Sequence, residues 1–182
     1  LVNRVACGYV CSPRSGRFSR TLSICLDFTM NKSQLRKYMR AKRLALSSKE
    51  REALTEQWTQ QAFSYLSDFS PQVIAGYDSI QGEIDVIPLL KRLKRQGWII
   101  GLPRIPESGR ILTFHRWEDE SLITGRYGMR EPVSSGERVK PQIILVPALA
   151  FDIHGHRLGY GSGYYDTTLA SFSLRPHCIT CA

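Results

Sequence analysis

Three alternating glycines form the stretch of the sequence best suited to chemistry. Gly159, Gly161 and Gly163 follow an apolar run at residues 143–146, which predicts a buried strand. Glycines let the backbone turn sharply, and its N–H groups can approach an anion without interference from a Cβ atom. A helix that begins behind such a loop directs its unpaired N–H groups and the positive end of its dipole to the same place. The pattern favours a site for nucleotide phosphates, with a plain turn as the alternative.

Two charged residues border this glycine loop. Arg157 precedes the glycines and adds a full positive charge, and Asp166 follows them and could hold a divalent cation against phosphate oxygens. The common phosphate motifs do not fit, because no lysine follows Gly163 as in G-x-x-x-x-G-K-[ST], and Tyr164 stands at the third glycine of G-x-G-x-x-G. The loop therefore predicts phosphate binding outside those two motifs.

Charged side chains elsewhere in the chain are candidates for the same site. Lys32 and Arg36 are four residues apart and project from one face of a predicted helix, in which the stem of Arg43 lies on the apolar face. An exposed basic face is the alternative. Glu83 follows a predicted strand, and loops at strand ends carry ligands in α/β sheets. The alternative for Glu83 and Asp85 is to cap the helix that comes next.

Strands and helices alternate through the middle of the chain. A strand at residues 73–77 is followed by a helix at 87–96, which ends at Gly97, and by a strand at 98–102 that stops at Pro103. This order predicts a right-handed parallel crossover. We expect a single α/β domain with a three-layer architecture, in which an open, mainly parallel sheet carries helices on both faces.

Composition limits the classes of function. The 42% hydrophobic and 23% charged residues of this 182-residue chain are typical of one ordinary globular domain. No stretch approaches the roughly 18 apolar residues that a membrane span needs. The net charge of +9 fits a small polyanionic ligand as well as nucleic acid, but no dense Lys/Arg run interleaves with aromatics. The cysteines occur only near the two ends of the chain, which predicts a reducing compartment, the cytoplasm.

The two ends differ from the middle. Residues 1–29 are rich in Arg and Ser and poor in acids, as a transit peptide is, although we favour a disordered or non-native extension before a domain at 30–182. Cys178 and Cys181 form a C-x-x-C pair that could bind zinc together with cysteines of the first segment. Residues 171–182 show little strand pattern, so the domain looks shortened at its C-terminus.

The glycine loop and its surroundings resemble the 5-formyltetrahydrofolate cyclo-ligase family. The matching positions are Val146, Pro147, Ala150, Phe151, Asp152, Arg157, Leu158, Gly159, Gly161, Gly163, Tyr164, Tyr165 and Asp166. Two positions depart: Tyr160 stands where that family usually has Arg or Met, and Ser162 where it has Gly or Lys. Three shorter patterns also resemble the family, namely K-x-x-L-R from Lys32, S-x-x-x-E-I-D around Glu83, and G-x-x-E-P at residues 128–132.

This resemblance implies an enzyme that uses ATP and Mg²⁺ to convert 5-formyltetrahydrofolate, including polyglutamylated forms, into 5,10-methenyltetrahydrofolate. ATP would contact Lys32, Ser33, Gln34, Leu35, Arg36, Arg157, Leu158, Gly159, Tyr160, Gly161, Ser162, Gly163, Tyr164 and Tyr165. Folate would contact Glu83, Tyr160, Gly161, Ser162, Gly163 and Tyr164. Arg157 would be catalytic and Asp166 would bind Mg²⁺. The resemblance also implies a monomer without a nucleic-acid or membrane partner.

Two other functions remain open at this point. An α/β isomerase or CoA-transferase-like enzyme could use the glycine loop for a phosphorylated ligand, and a non-enzymatic basic protein could bind RNA. RNA binding would weaken steeply with salt.

Overall fold

The computed structural model describes residues 4–7, 22–25, 30–119, 122–133, 136–152 and 156–182. The helices in these ranges are α1 (Lys32–Leu44), α2 (Ser48–Leu66), α3 (Ile87–Lys94) and α4 (Tyr164–Ser171), with a 3-10 turn at Arg126–Gly128. The strands are β1 (Arg4–Cys7), β2 (Leu22–Cys25), β3 (Val73–Ala75), β4 (Ile99–Arg104), β5 (Thr113–Arg116), β6 (Ile123–Thr124), β7 (Arg130–Glu131), β8 (Arg138–Val139), β9 (Ile143–Pro147), β10 (Ala150–Asp152), β11 (Arg157–Leu158) and β12 (His177–Cys181).

The main sheet has six strands in the order β12-β9-β3-β4-β5-β8. The first four pair in parallel, and β5 runs antiparallel to both β4 and β8, so five of the six strands point the same way. Side chains alternate between the two faces of such a sheet. The predicted single α/β domain with a mainly parallel sheet is confirmed.

Helices cover both faces, as predicted. On one face, Trp58 of α2 and Leu90 of α3 pack in a buried cluster with Ile143 of β9. On the other face, Leu169 of α4 packs in a separate cluster with Ile144, the next residue of β9. The near-continuous apolar sequence of β9 follows from this, because both of its faces are buried.

The order of the strands creates a crevice at the carboxyl ends of the parallel strands. The chain leaves β3 through α3 to reach β4 on one side, and leaves β9 through α4 to reach β12 on the other. The two connections therefore diverge between the adjacent strands β3 and β9. Ligands of open α/β sheets bind in the crevice at such a point, beyond the carboxyl ends of the strands.

Local sequence explains where the first two helices begin. The side chain of Asn31 accepts hydrogen bonds from the backbone N–H groups of Ser33 and Gln34 at the start of α1. Ser47 and Glu50 form a capping box at the start of α2: Ser47 Oγ accepts from the N–H of Glu50, whose carboxylate accepts from the N–H of Ser47 at 2.8 Å. Among the described residues, no helix is long and apolar enough to cross a membrane.

A small second sheet joins the N-terminal strands to the rest. Strands β1 and β2 pair antiparallel with each other, and β1 also pairs with β10, which pairs with β11. Most of residues 1–29 lies outside the described residues. Their assignment as a disordered or non-native extension therefore stays a prediction.

Two expectations about strands were wrong. The C-terminal segment forms β12, which pairs in parallel with β9 from His177 to Cys181; its Ile and Thr favour a strand, but five residues gave too short a pattern. Strand β4 continues through Pro103, where it still pairs with β5. Its pairing with β3 extends only to Gly101, so the missing N–H of Pro103 interrupts no hydrogen bond to β3.

The C-x-x-C pair does not form a zinc site. Cys178 packs on the α4 face of the sheet, whereas Cys181 is buried on the α2 and α3 face. The two thiols are three residues apart on a strand and point to opposite faces. They therefore cannot bind one ion together.

Gly125 contacts a buried carboxylate, and this contact gives a test of packing. A Cβ atom at Gly125 would overlap the Cδ and Oε1 atoms of Glu131, which is only 4% exposed. We expect Gly125→Ala to lower the free energy of unfolding by about 1–3 kcal/mol, because a buried carboxylate has little room to move. Thermal unfolding measures this as a lower Tm. Gly159→Ala is the control, since a Cβ there meets nothing within 4 Å. An equal Tm for the two variants would contradict the expected overlap.

Candidate functional site

A cavity of about 380 Å³ lies at the diverging ends of β3 and β9. The loops after β3, β4 and β11 contribute to its walls, together with β7 and the last residue of β9. Its apolar and aromatic lining comprises Tyr77, Ile80, Pro103, Ile105, Leu112, Met129, Pro147, Tyr160, Tyr164 and Tyr165. A mostly apolar pocket with a few polar groups suits a flat, partly aromatic ligand.

The glycine loop forms one wall of this cavity from Gly159 to Gly163. Gly161 and Gly163 have φ angles of +102° and +75°, in the region that glycine enters without a Cβ penalty. Gly163 is also the N-cap of α4, so the first N–H groups of this helix adjoin the loop. The geometry matches the predicted place for an anion at a loop followed by a helix.

Arg36 supports the glycine loop from α1. Its Nε donates to the carbonyl of Gly159 at 2.9 Å, and its Cζ would lie 3.4 Å from a Cβ atom at Gly161. The guanidinium therefore packs against the backbone of the loop. Lys32 lies one turn earlier on the same helix and is exposed. The structure thus brings Arg36 to the loop across 123 positions of sequence.

The residues between Lys32 and Arg36 have local tasks in α1. Gln34 completes the N-terminal cap by accepting from the N–H of Asn31, and Leu35 packs in the cluster of Met39. Ser33 borders a shallow groove on the surface of α1 with Arg36 and other residues of this helix. The segment 32–36 and Leu158 do not line the main cavity, so their predicted contact with ATP stays a prediction.

Arg157 and Asp166 form an ion pair beside the glycine loop. Arg157 Nη2 donates to Asp166 Oδ1, and both residues line the cavity. The Asp166 side chain is 78% exposed. No group of three or more His, Cys, Asp or Glu side chains that could bind a metal occurs in the described ranges. Because Mg²⁺ is commonly held by one or two carboxylates and by phosphate oxygens, a lone exposed carboxylate here fits an ion shared with a polyphosphate.

Glu83 lines the same cavity from the turn after β3. Its Oε2 accepts from the N–H of Ile80 at 2.9 Å, and Gln81 and Gly82 both have positive φ angles in this turn. Glu83 lines the cavity and does not cap α3. Asp85, which precedes the N-cap residue Val86, accepts through Oδ1 from the N–H of Ile87 at 3.0 Å and so satisfies the first N–H group of α3.

Burial and neighbouring groups act in opposite directions on the acidity of Glu83. The pKa of its carboxyl is raised, mainly by burial, although hydrogen bonds from Tyr160 and from the Ile80 backbone, and the charge of Arg43, act to lower it. The Tyr160 hydroxyl in turn accepts from Arg43 Nη1 at 2.5 Å. The sequence indicated only the apolar stem of Arg43, and its guanidinium is therefore a component of the site that the pattern missed.

A second pair of charged residues, Arg130 and Asp78, also lines the cavity. Arg130 donates from Nε and Nη2 to the two carboxylate oxygens of Asp78, at 3.0 and 2.7 Å. The next residue, Glu131, is buried and lines the same cavity. The G-x-x-E-P pattern had pointed to this segment without indicating a role. The ion pair joins the turn after β3 to β7.

Comparison with known proteins agrees with the geometry. Over residues 28–180 the chain matches the 5-formyltetrahydrofolate cyclo-ligase family. It is 31% identical over 140 residues to the 5-formyltetrahydrofolate cyclo-ligase of Escherichia coli K12, covering 74% of this chain and 77% of that protein. The NMR structure of Aquifex aeolicus 5,10-methenyltetrahydrofolate synthetase gives a TM-score of 0.66 at 34% identity, covering 84% and 78% of the two chains. A synthetase from Mycoplasma pneumoniae, 24% identical, shares the fold with a TM-score of 0.65, covering 81% and 82%.

Proposed function

The chain belongs to the 5-formyltetrahydrofolate cyclo-ligase family, and on this basis we propose that it converts 5-formyltetrahydrofolate into 5,10-methenyltetrahydrofolate with consumption of ATP. The observation that carries the proposal is one cavity lined by Glu83 together with the glycine loop, Arg157 and Asp166. A single cavity of this kind could hold the folate and the phosphates of ATP next to each other.

The folate would occupy the apolar part of the cavity. The Glu83 carboxylate can accept two hydrogen bonds, which matches the 2-amino group and the N3–H of the pterin. Tyr160, Tyr164 and the glycines from Gly161 to Gly163 would border the same ligand, with Ser162 between them. Aromatic side chains supply a large apolar contact area for the flat rings.

The phosphates of ATP would lie along the glycine loop. Backbone N–H groups of the loop and of the first turn of α4 are suited to phosphate oxygens. Arg157 has five N–H donors, so it can serve a phosphate as well as Asp166. Arg36 and Lys32 add positive charge from α1. Bound Mg²⁺, held by Asp166 and phosphate oxygens, would neutralise negative charge on the transferring group.

The chemistry requires activation of the formyl oxygen, which is a poor leaving group. Transfer of the γ-phosphoryl group from ATP to this oxygen yields ADP and an iminophosphate. The lone pair of N10 then attacks the formyl carbon, the carbon–oxygen bond breaks, and phosphate leaves as N10 loses its proton. The protein contributes mainly by aligning the two ligands, and Arg157 would stabilise charge that develops on the phosphoryl group.

Three finer points belong to the same proposal. The substrate includes polyglutamylated 5-formyltetrahydrofolate, the enzyme acts as a monomer, and the reaction takes place in the cytoplasm. The basic composition supports an anionic substrate.

A turnover assay on the complete 182-residue chain tests the proposed function. We expect the absorbance of the methenyl product to rise only when 5-formyltetrahydrofolate, ATP and Mg²⁺ are all present, with one ADP formed for each product molecule. Omission of each component in turn provides the controls. Product formation without ATP, or binding of the folate without any turnover under all conditions, would contradict the proposed reaction.

A further inference from the structure

The guanidinium of Arg43 is buried where four segments of the chain meet. Arg43 is 5% exposed and belongs to α1. Its Nη2 donates to the carbonyl of Ala148, just beyond β9, and its Nη1 donates to Tyr160 in the glycine loop, each at 2.5 Å. Its Cγ would lie 3.3 Å from a Cβ atom at Gly82, in the turn that carries Glu83. One side chain therefore contacts both the glycine loop and the turn that carries Glu83.

The hydroxyl group of Tyr160 can accept one hydrogen bond and donate another. The Tyr160 oxygen accepts a hydrogen bond from Arg43, so its own O–H is available to donate to an acceptor. Glu83 is that acceptor, and the hydrogen bond from Tyr160 lowers the pKa of the Glu83 carboxyl. The result is a chain of donors from a buried cation, through a hydroxyl group, to a carboxylate in the cavity.

The charges of Arg43 and Glu83 are complementary. A buried guanidinium is always protonated and needs a negative partner nearby, but its two hydrogen-bond acceptors in this structure are neutral oxygens. The Glu83 carboxylate supplies the opposite charge at the far end of the donor chain, and Arg43 in turn favours its ionised form.

We propose that Arg43 is a positioning residue for the folate site: acting through Tyr160, it keeps Glu83 ionised and oriented towards the pterin. The inference rests on the proposed function of Glu83. It also gives Tyr160, which departs from the residues usual in the family, a specific task. Because Tyr160 lies between Gly159 and Gly161, the same hydroxyl fixes the glycine loop relative to Glu83.

The remaining groups that face Glu83 do not replace Arg43. The charge of Asp78 opposes ionisation of Glu83. Burial raises the pKa of Tyr77, Tyr165 and Cys181, so these three groups are neutral near pH 7. Arg43 is a cation that lowers the pKa of Glu83. Arg51 of α2 also packs beside this turn, with its Cδ 3.6 Å from the position of a Cβ atom at Gly82, and its Nη1 donates to the carbonyl of Leu46.

Binding of 5-formyltetrahydrofolate without ATP, measured by tyrosine and tryptophan fluorescence from pH 5.5 to 9, tests this role. Affinity in the unmodified protein should fall at low pH, as Glu83 becomes protonated. Removing the Arg43 guanidinium raises the pKa of Glu83, so Arg43→Met should move this loss of affinity to higher pH. At a pH between the two midpoints the variant should bind more weakly than the unmodified protein, and the two affinities should converge as the pH rises. Tyr160→Phe should shift the profile in the same direction by a smaller amount.

Two further variants test whether the effect depends on the positive charge at position 43. Arg43→Lys keeps the positive charge and should restore most of the profile. Lys42→Met removes the same charge from the neighbouring, exposed position of α1 and should leave the profile unchanged. Tyr160→Phe removes a single oxygen, so its profile remains measurable if Arg43→Met fails to fold.

The outcomes distinguish this inference from the proposed function. An equal loss of affinity at every pH in Arg43→Met would indicate only a structural role and would overturn the inference, as would a Tyr160→Phe profile identical to that of the unmodified protein. If Glu83→Gln binds 5-formyltetrahydrofolate as well as the unmodified protein does, the proposed role of Glu83 itself is wrong.

Discussion

Glu83→Gln is expected to lower kcat/KM for 5-formyltetrahydrofolate by about 100-fold or more. The carboxylate accepts hydrogen bonds from two N–H groups of the pterin in the proposed complex. An amide offers one oxygen, and its NH₂ group would face a donor of the ligand. Hydrogen bonds to a charged group contribute about 1.5–3 kcal/mol each, and a buried donor left without a partner adds to the loss. Steady-state kinetics at saturating ATP and Mg²⁺ measure the effect.

Asp85→Asn is the matched control for this substitution. It makes a similar change from carboxylate to amide two residues further on, and the asparagine oxygen can still accept from the N–H of Ile87 at the start of α3. We expect near-normal kinetics for Asp85→Asn and normal ATP affinity for Glu83→Gln. Equal folate kinetics in the two variants would show that Glu83 does not bind the pterin.

The sequence predicted well those features that local patterns encode. The crossover from β3 to β4 and the buried strand before the glycine loop both depend on residues close together in the chain. The loop itself could be recognised because left-handed backbone at Gly161 and Gly163 requires a residue type that is visible in the sequence. The position of Glu83 after a strand was sufficient to place it at the ligand edge.

Contacts between distant segments could not be predicted in the same way. Tyr160 and Arg43 are 117 positions apart, and Arg130 and Asp78 are 52 positions apart. No periodicity relates such pairs, so only the folded structure shows that they meet. Arg43 is the clearest case, because helical spacing correctly places it on the buried face of α1 but cannot show which oxygens its guanidinium contacts.

Arg157→Met is expected to raise KM for ATP by about 10- to 100-fold and to lower kcat. Arg157 lines the cavity beside the glycine loop, where it would bind phosphate through charge-assisted hydrogen bonds. The loss of one or two such bonds accounts for a change of this size. The affinity for 5-formyltetrahydrofolate in the absence of ATP should change less than about 2-fold, a difference of roughly 0.4 kcal/mol. Initial rates at varied ATP, with Mg²⁺ in excess, measure KM and kcat.

Arg95→Met is the control for the loss of charge in this experiment. Arg95 follows α3 and precedes β4, so it lies at the amino-terminal edge of the sheet, opposite the cavity. Both substitutions reduce the net charge by one, but only Arg157 can reach the phosphates. A rise in KM for ATP that is equal in both variants would indicate a general effect of charge on an anionic ligand. An unchanged KM in Arg157→Met would contradict the proposed contact between Arg157 and the phosphates of ATP.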